Sequence, residues 1–147
     1  MAMGKELEGI MNTSVANFTV MYYKLHRFHW LVEGPLFFGL HELYEKLYDE
    51  AAEHLDEFAE RILARGGRPV CTLRGVMEAA TLSEQGDEVT PESIGTTLAT
   101  DYGNIVELLK KGIKASEAEE DYPTADLLTE TIDKLEKHIW MIKQSLK

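Results

Sequence analysis

The stretch HRFHWLVEGPLFFGLHELYE, residues 26–45, decides how this chain is read. Gly34 and Pro35 interrupt it, and such a pair ends a helix: proline has no N–H to donate, and its ring opposes helical geometry in the preceding residue. Before the break, Leu7, Ile10, Met11, Phe18, Met21, Tyr22, Leu25 and Phe28 recur at three- and four-residue steps, the period of an amphipathic helix. After it, from near Leu36, Leu40, Leu43, Tyr44, Leu47, Leu55, Phe58, Ala59 and Ile62 keep the same period until RGGRP at 65–69. Two helices joined by so few residues pack antiparallel. His29 lies a short way before the turn and His41 a similar way after it, so the two histidines sit at equal height.

The rest of the chain repeats this pattern. CTLRGVMEAA (71–80) reads as a short helix and LSEQGDE (82–88) as a loop. Thr90 supplies an N-cap and Pro91 the first position of a third long helix, with Ile94, Leu98, Tyr102, Ile105, Leu109 and Ile113 as its apolar stripe. A fourth follows EEDYP (119–123) and carries Leu128, Ile132, Leu135, Ile139, Ile142 and Leu146. No strand pattern of comparable strength occurs. The expectation is an all-α four-helix bundle with a short extra helix in the crossover, forming one domain over residues 1–147.

At 147 residues with 44% hydrophobic content, the chain is long enough to bury a core. Acids outnumber bases 26 to 15, for a net charge of -11, which disfavours binding to duplex phosphates or anionic membranes and favours cations as partners. No apolar run reaches the length that spans a bilayer, and the N-terminus has no leader pattern, so a cytoplasmic protein is expected. The single Cys71 cannot form an internal disulfide and has no CxxC partner, so it reads as structural.

The second helix offers two i,i+4 pairs, His41 with Glu45 and Asp56 with Glu60. They cannot serve one site within one chain, since the fifteen residues from 41 to 56 rise about 22 Å. A second chain resolves this. If the helix packs antiparallel on its own copy across a two-fold axis, residues 41 and 45 of one copy face 60 and 56 of the other. The axis then crosses near Glu50 and Ala51, where the small side chains of Ala51 and Ala52 allow close approach. Rotation agrees: positions 45 and 56 differ by about 20° around the helix, and 41 and 56 by about 60°. His29, His41, Glu45, Asp56 and Glu60 form a mixed nitrogen and oxygen set suited to iron, manganese or zinc. The intra-bundle di-iron pattern needs Glu-x-x-His, which is absent from this sequence.

His29-Trp30, then LHELYE with His41 and Glu45, then HLDEFAERI with Asp56 and Glu60, and finally KHIWM (137–141), resemble the Dps family of mini-ferritins. The resemblance spans almost the whole chain, and its ligand pattern H-x11-H-x3-E-x10-D-x3-E is specific. It implies a hollow homo-dodecamer built from two-fold dimers. Inter-subunit di-iron ferroxidase sites would oxidise ferrous iron, preferably with hydrogen peroxide rather than dioxygen, and ferric mineral would be stored inside. By the same resemblance His29, His41 and Glu45 come from one subunit and Asp56 and Glu60 from its mate, with Trp30 beside the site. Glu45 stands where the family commonly has aspartate. Asp121, Asp126 and Glu130 resemble a pore lining that draws cations inward, although acids at a helix start also serve its dipole. Members that bind DNA use a lysine-rich tail, whereas only Lys5 precedes the first apolar stripe here, so direct DNA binding is expected to be weak or absent. His26, His54 and His138 read as structural or exposed, with His26 one turn before His29 and so able to support it. Asp49 and Glu53 continue the acidic face of the second helix, as mineral-nucleating or simply solvated groups.

Overall fold

In the computed structural model, which describes residues 2–147, the helices are α1 (Lys5–Leu31), α2 (Phe37–Ala64), the short α3 (Leu73–Ala79), α4 (Pro91–Ala118) and α5 (Tyr122–Ser145). No strand is present among the described residues. The break at Gly34 has the expected cause: its φ of 117° lies in the left-handed region that glycine adopts without strain. The turn is held from outside by Glu33 N–H donating to the Val89 carbonyl at 2.8 Å.

Helix starts follow local chemistry. Thr90 accepts from Ser93 N–H at 3.1 Å while Ser93 Oγ accepts from Thr90 N–H at 3.2 Å, a reciprocal cap that fixes where α4 begins. Thr72 caps α3 by accepting from Gly75 N–H, and Asp121 caps α5 by accepting from Thr124 N–H.

α1 packs along α2 and also against α4, α4 packs along α5, and α3 lies on α1. The core between them is made of side chains with essentially no exposure, among them Phe18, Phe28, Phe58, Met11, Met21, Leu25, Ile62, Leu98, Ile105 and Leu109. Each such burial contributes roughly 1.5–3 kcal/mol relative to an exposed side chain. Lys24 on α1 is buried with Asp101 on α4 at 2.6 Å, pairing two charges that would each be costly alone. Asn17 pins the long connection by accepting from Thr81 and Leu82 N–H and donating to Thr81 Oγ1.

Some expectations fail in detail. Leu43 and Leu146 keep the helical period but are 39% and 37% exposed, and Leu146 is the C-cap residue just past the end of α5. Cys71 is exposed in the connection between α2 and α3, so it fills no core position.

Candidate metal centre

The antiparallel pairing of α1 and α2 brings His29 and His41 together. Their rings stack at 3.6 Å between centroids and 12° between planes. His29 Nδ1 lies 2.6 Å from the His41 carbonyl, and His41 Nδ1 lies 2.7 Å from the His29 carbonyl. A carbonyl can only accept, so each Nδ1 carries a proton, and in the neutral ring it is Nε2 that has the lone pair. This is the arrangement of metal-binding imidazoles, whose other nitrogen is tied to a backbone oxygen that fixes tautomer and ring orientation. A metal bound to imidazole lies in the ring plane. Two nearly parallel planes would therefore suit two different ions rather than one shared ion.

His29 is buried, His41 half-buried and Glu45 exposed, with Glu45 Oε1 4.0 Å from His29 Nε2. Trp30 is 55% exposed beside them. Asp56 and Glu60 are both exposed further along α2 and do not meet the histidines within the chain. No group of three or more His, Cys, Asp or Glu is arranged to hold a metal within one chain, among the described residues. One chain thus presents two imidazoles and one carboxylate at one end of α2, and two more carboxylates beyond its middle.

The core stripe of α2 runs through Tyr44, Leu47, Ala51, His54, Phe58 and Ile62. Asp49, Glu53, Asp56 and Glu60 are exposed, while Ala52 is only half-buried. The expectation that Ala51 and Ala52 both lie at a helix–helix contact between copies is corrected here. Ala51 is 3% exposed inside its own chain, which leaves Ala52 as the small residue facing outward.

The other histidines have definite partners. His138 Nε2 on α5 is 2.7 Å from Glu50 Oε2, and His54 Nε2 on α2 is 3.3 Å from the same oxygen. Burial by itself would raise the Glu50 pKa, but hydrogen bonds and charge from His138 and His54 outweigh it and bring the carboxyl down to about 2. His54 is buried rather than exposed, with its ring 4.9 Å from Phe18. The Glu50–His54 spacing of four was a visible signal of this pair; His138, 88 residues from Glu50, gave none. His26 stacks on Tyr48, a residue the sequence did not single out, and Tyr48 in turn stands edge-on to His29.

Asp121 departs from an open pore position. It is 5% exposed, caps α5 and pairs with Arg61 at 3.0 Å and with Arg65. Burial alone would raise its pKa, but the Thr124 hydrogen bonds and the two guanidinium charges hold it below the ordinary carboxylate value. Asp126 and Glu130 are exposed on one side of α5.

A family model described as ferritin-like domain matches residues 9–147. The DNA protection during starvation protein 2 of Bacillus anthracis is 42% identical over 98% of this chain and 99% of its own length. The chain belongs to the Dps family of ferritin-like proteins. Dps from Staphylococcus aureus superposes with a TM-score of 0.95 at 38% identity, covering 100% of this chain and 99% of that one. Dps from Vibrio cholerae, described as a member of a broad superfamily of ferritin-like diiron-carboxylate proteins, matches with a TM-score of 0.94 at 29% identity over 97% of this chain and 90% of its own. The family-level expectation of an all-α bundle with a short extra helix is thereby met. No helix among the described residues is long and apolar enough to cross a membrane.

Proposed function

We propose that this protein is a single-domain mini-ferritin that oxidises ferrous iron at sites shared by two copies and stores the ferric product in a twelve-subunit cage. The observation that carries this reading is the reciprocal hydrogen bonding of His29 and His41, which leaves two oriented Nε2 lone pairs with only Glu45 nearby in the same chain. Such a half-site has too few carboxylates for a pair of ferrous ions, which favour mixed nitrogen and oxygen ligands. Asp56 and Glu60, exposed on the outer side of the same helix, are the carboxylates that an antiparallel copy of α2 would bring to it.

Iron is the substrate here. Two ferrous ions held side by side each give one electron to a single hydrogen peroxide, whose O–O bond breaks in one two-electron event. With water, the products are ferric oxyhydroxide and protons, and no hydroxyl radical is released. Dioxygen is the alternative oxidant. The protein's part is to hold the two ions on separate imidazoles and to balance their rising charge with carboxylates. Asp126 and Glu130 would guide cations towards the interior. The net charge of -11 opposes duplex phosphates, so protection in this reading comes from removing iron and peroxide in the cytoplasm rather than from coating DNA.

The test is to mix anaerobic apo-protein with ferrous iron and substoichiometric peroxide while following ferric absorbance. Fast oxidation in the wild type, lost in both His41→Ala and Asp56→Ala, is the expected result. Oxidation no faster than a protein-free control would leave sequestration of another divalent metal, such as zinc, as the better account.

A further inference from the structure

Three features of the His29 ring can be separated: its Nδ1 is tied to the His41 carbonyl, one face stacks on His41, and a second ring stands against it. That second ring is Tyr48, 5.4 Å from His29 between centroids and perpendicular to it at 87°. Tyr48 lies on α2 one turn beyond Glu45, on the half-buried flank of the site. It is itself clamped: His26 stacks on it at 3.7 Å and 18°, and Tyr22 meets it edge-on at 5.8 Å and 82°. His26 is in turn anchored by its Nδ1, which donates to the Tyr22 carbonyl at 2.8 Å, and it touches Trp30 at 5.3 Å.

We infer that Tyr48, backed by His26, is a positioning residue that fixes the angle at which His29 presents Nε2 to metal. A hydrogen bond at Nδ1 leaves an imidazole free to rock about that bond. A stack on a second ligand resists rocking only while that ligand is itself unloaded and still. Tyr48 is the independent wall, because it does not belong to the ligand set and is held from behind by residues of α1. Its contribution comes from the ring rather than the hydroxyl, since the contacts with His26, Tyr22 and His29 are all made through ring faces and edges. The inference rests on the reading of His29 as a metal ligand.

Cobalt(II) under anaerobic conditions is a suitable probe: its visible absorption reports ligand geometry and it does not turn over. In the assembled full-length protein, Tyr48→Leu is expected to weaken cobalt binding by about tenfold to a hundredfold, the usual effect of removing a ligand's support, and to alter the absorption band. Tyr48→Phe restores both, and His26→Leu, which loosens Tyr48 without touching His29, shifts both in the direction of Tyr48→Leu. Circular dichroism and size-exclusion elution unchanged from wild type separate this from a folding defect. Cobalt affinity within twofold of wild type in Tyr48→Leu, with an unchanged band, would overturn the inference. So would a Tyr48→Phe as weak as Tyr48→Leu, which would move the role to the hydroxyl. If instead His41→Ala leaves wild-type cobalt binding intact, the metal reading itself fails, and this inference with it.

Discussion

Chains carrying His41→Ala and chains carrying Asp56→Ala, each inactive alone, are expected to regain activity when assembled together. About 22 Å separates residues 41 and 56 along α2, which prevents them from sharing a site in one chain. In the proposed two-fold dimer each site would take its histidines from one copy and Asp56 from the other. A mixed dimer therefore has one site with both defects and one with none. Random pairing of equal amounts makes about half of the dimers mixed, so about a quarter of all sites are intact. Loss of a ligand costs at least the tenfold to hundredfold typical of its supporting residues, so each variant alone retains less than about a tenth of wild-type activity. A quarter stands clear of that background. The assay is the initial rate of ferric absorbance with ferrous iron and peroxide, on co-expressed protein whose hybrid dimers are verified by native mass spectrometry. A hybrid sample no more active than its two parents would refute the shared site.

Glu50 gives a pH dependence. Its carboxyl falls from an ordinary 4.5 to about 2 in the folded chain, so the stabilisation is fully present above about 4.5 and is lost as pH falls towards about 2. Allowing for solvent screening of its partly exposed carboxylate, this is worth about 2 kcal/mol, and urea midpoints should fall less steeply across that window in Glu50→Gln than in wild type. Asp121→Ala removes the α5 cap and leaves Arg61 and Arg65 without their shared carboxylate, which should cost about 3 kcal/mol in thermal or chemical unfolding. A loss under about 0.5 kcal/mol would show the cluster to be no more than a surface pair. The double variant Asp126→Asn, Glu130→Gln should slow iron loading of the cage by about tenfold at low ionic strength, with the difference shrinking as salt rises. Equal loading rates at low salt would remove these residues from any entry path.

Helix positions were legible because their causes are local. A 3.6-residue apolar period, a glycine and proline at 34–35, and the Thr90–Ser93 cap each act within a turn or two, and α4 begins at Pro91 as that chemistry requires. The ligand candidates His29, His41, Glu45, Asp56 and Glu60 were legible for the same reason, since helical spacing alone sorts them onto faces. Side-chain direction between helices is another matter. Nothing in the spacing of Asp121 says that it turns inward to Arg61 of α2 and Arg65 at its C-cap while Asp126 stays exposed. Neither does it show that Ala51 is consumed by the chain's own core, or that Glu50 is held by a histidine from α5. The sequence by itself determined the helices, their order and the candidate metal-binding side chains on their faces, because those follow from short-range periodicity and capping. Only the tertiary structure decided that the Nδ1–H of His29 and of His41 each donates to the other's backbone carbonyl and that Tyr48 and His26 stand behind them, because these contacts depend on how two helices pack and rotate against each other.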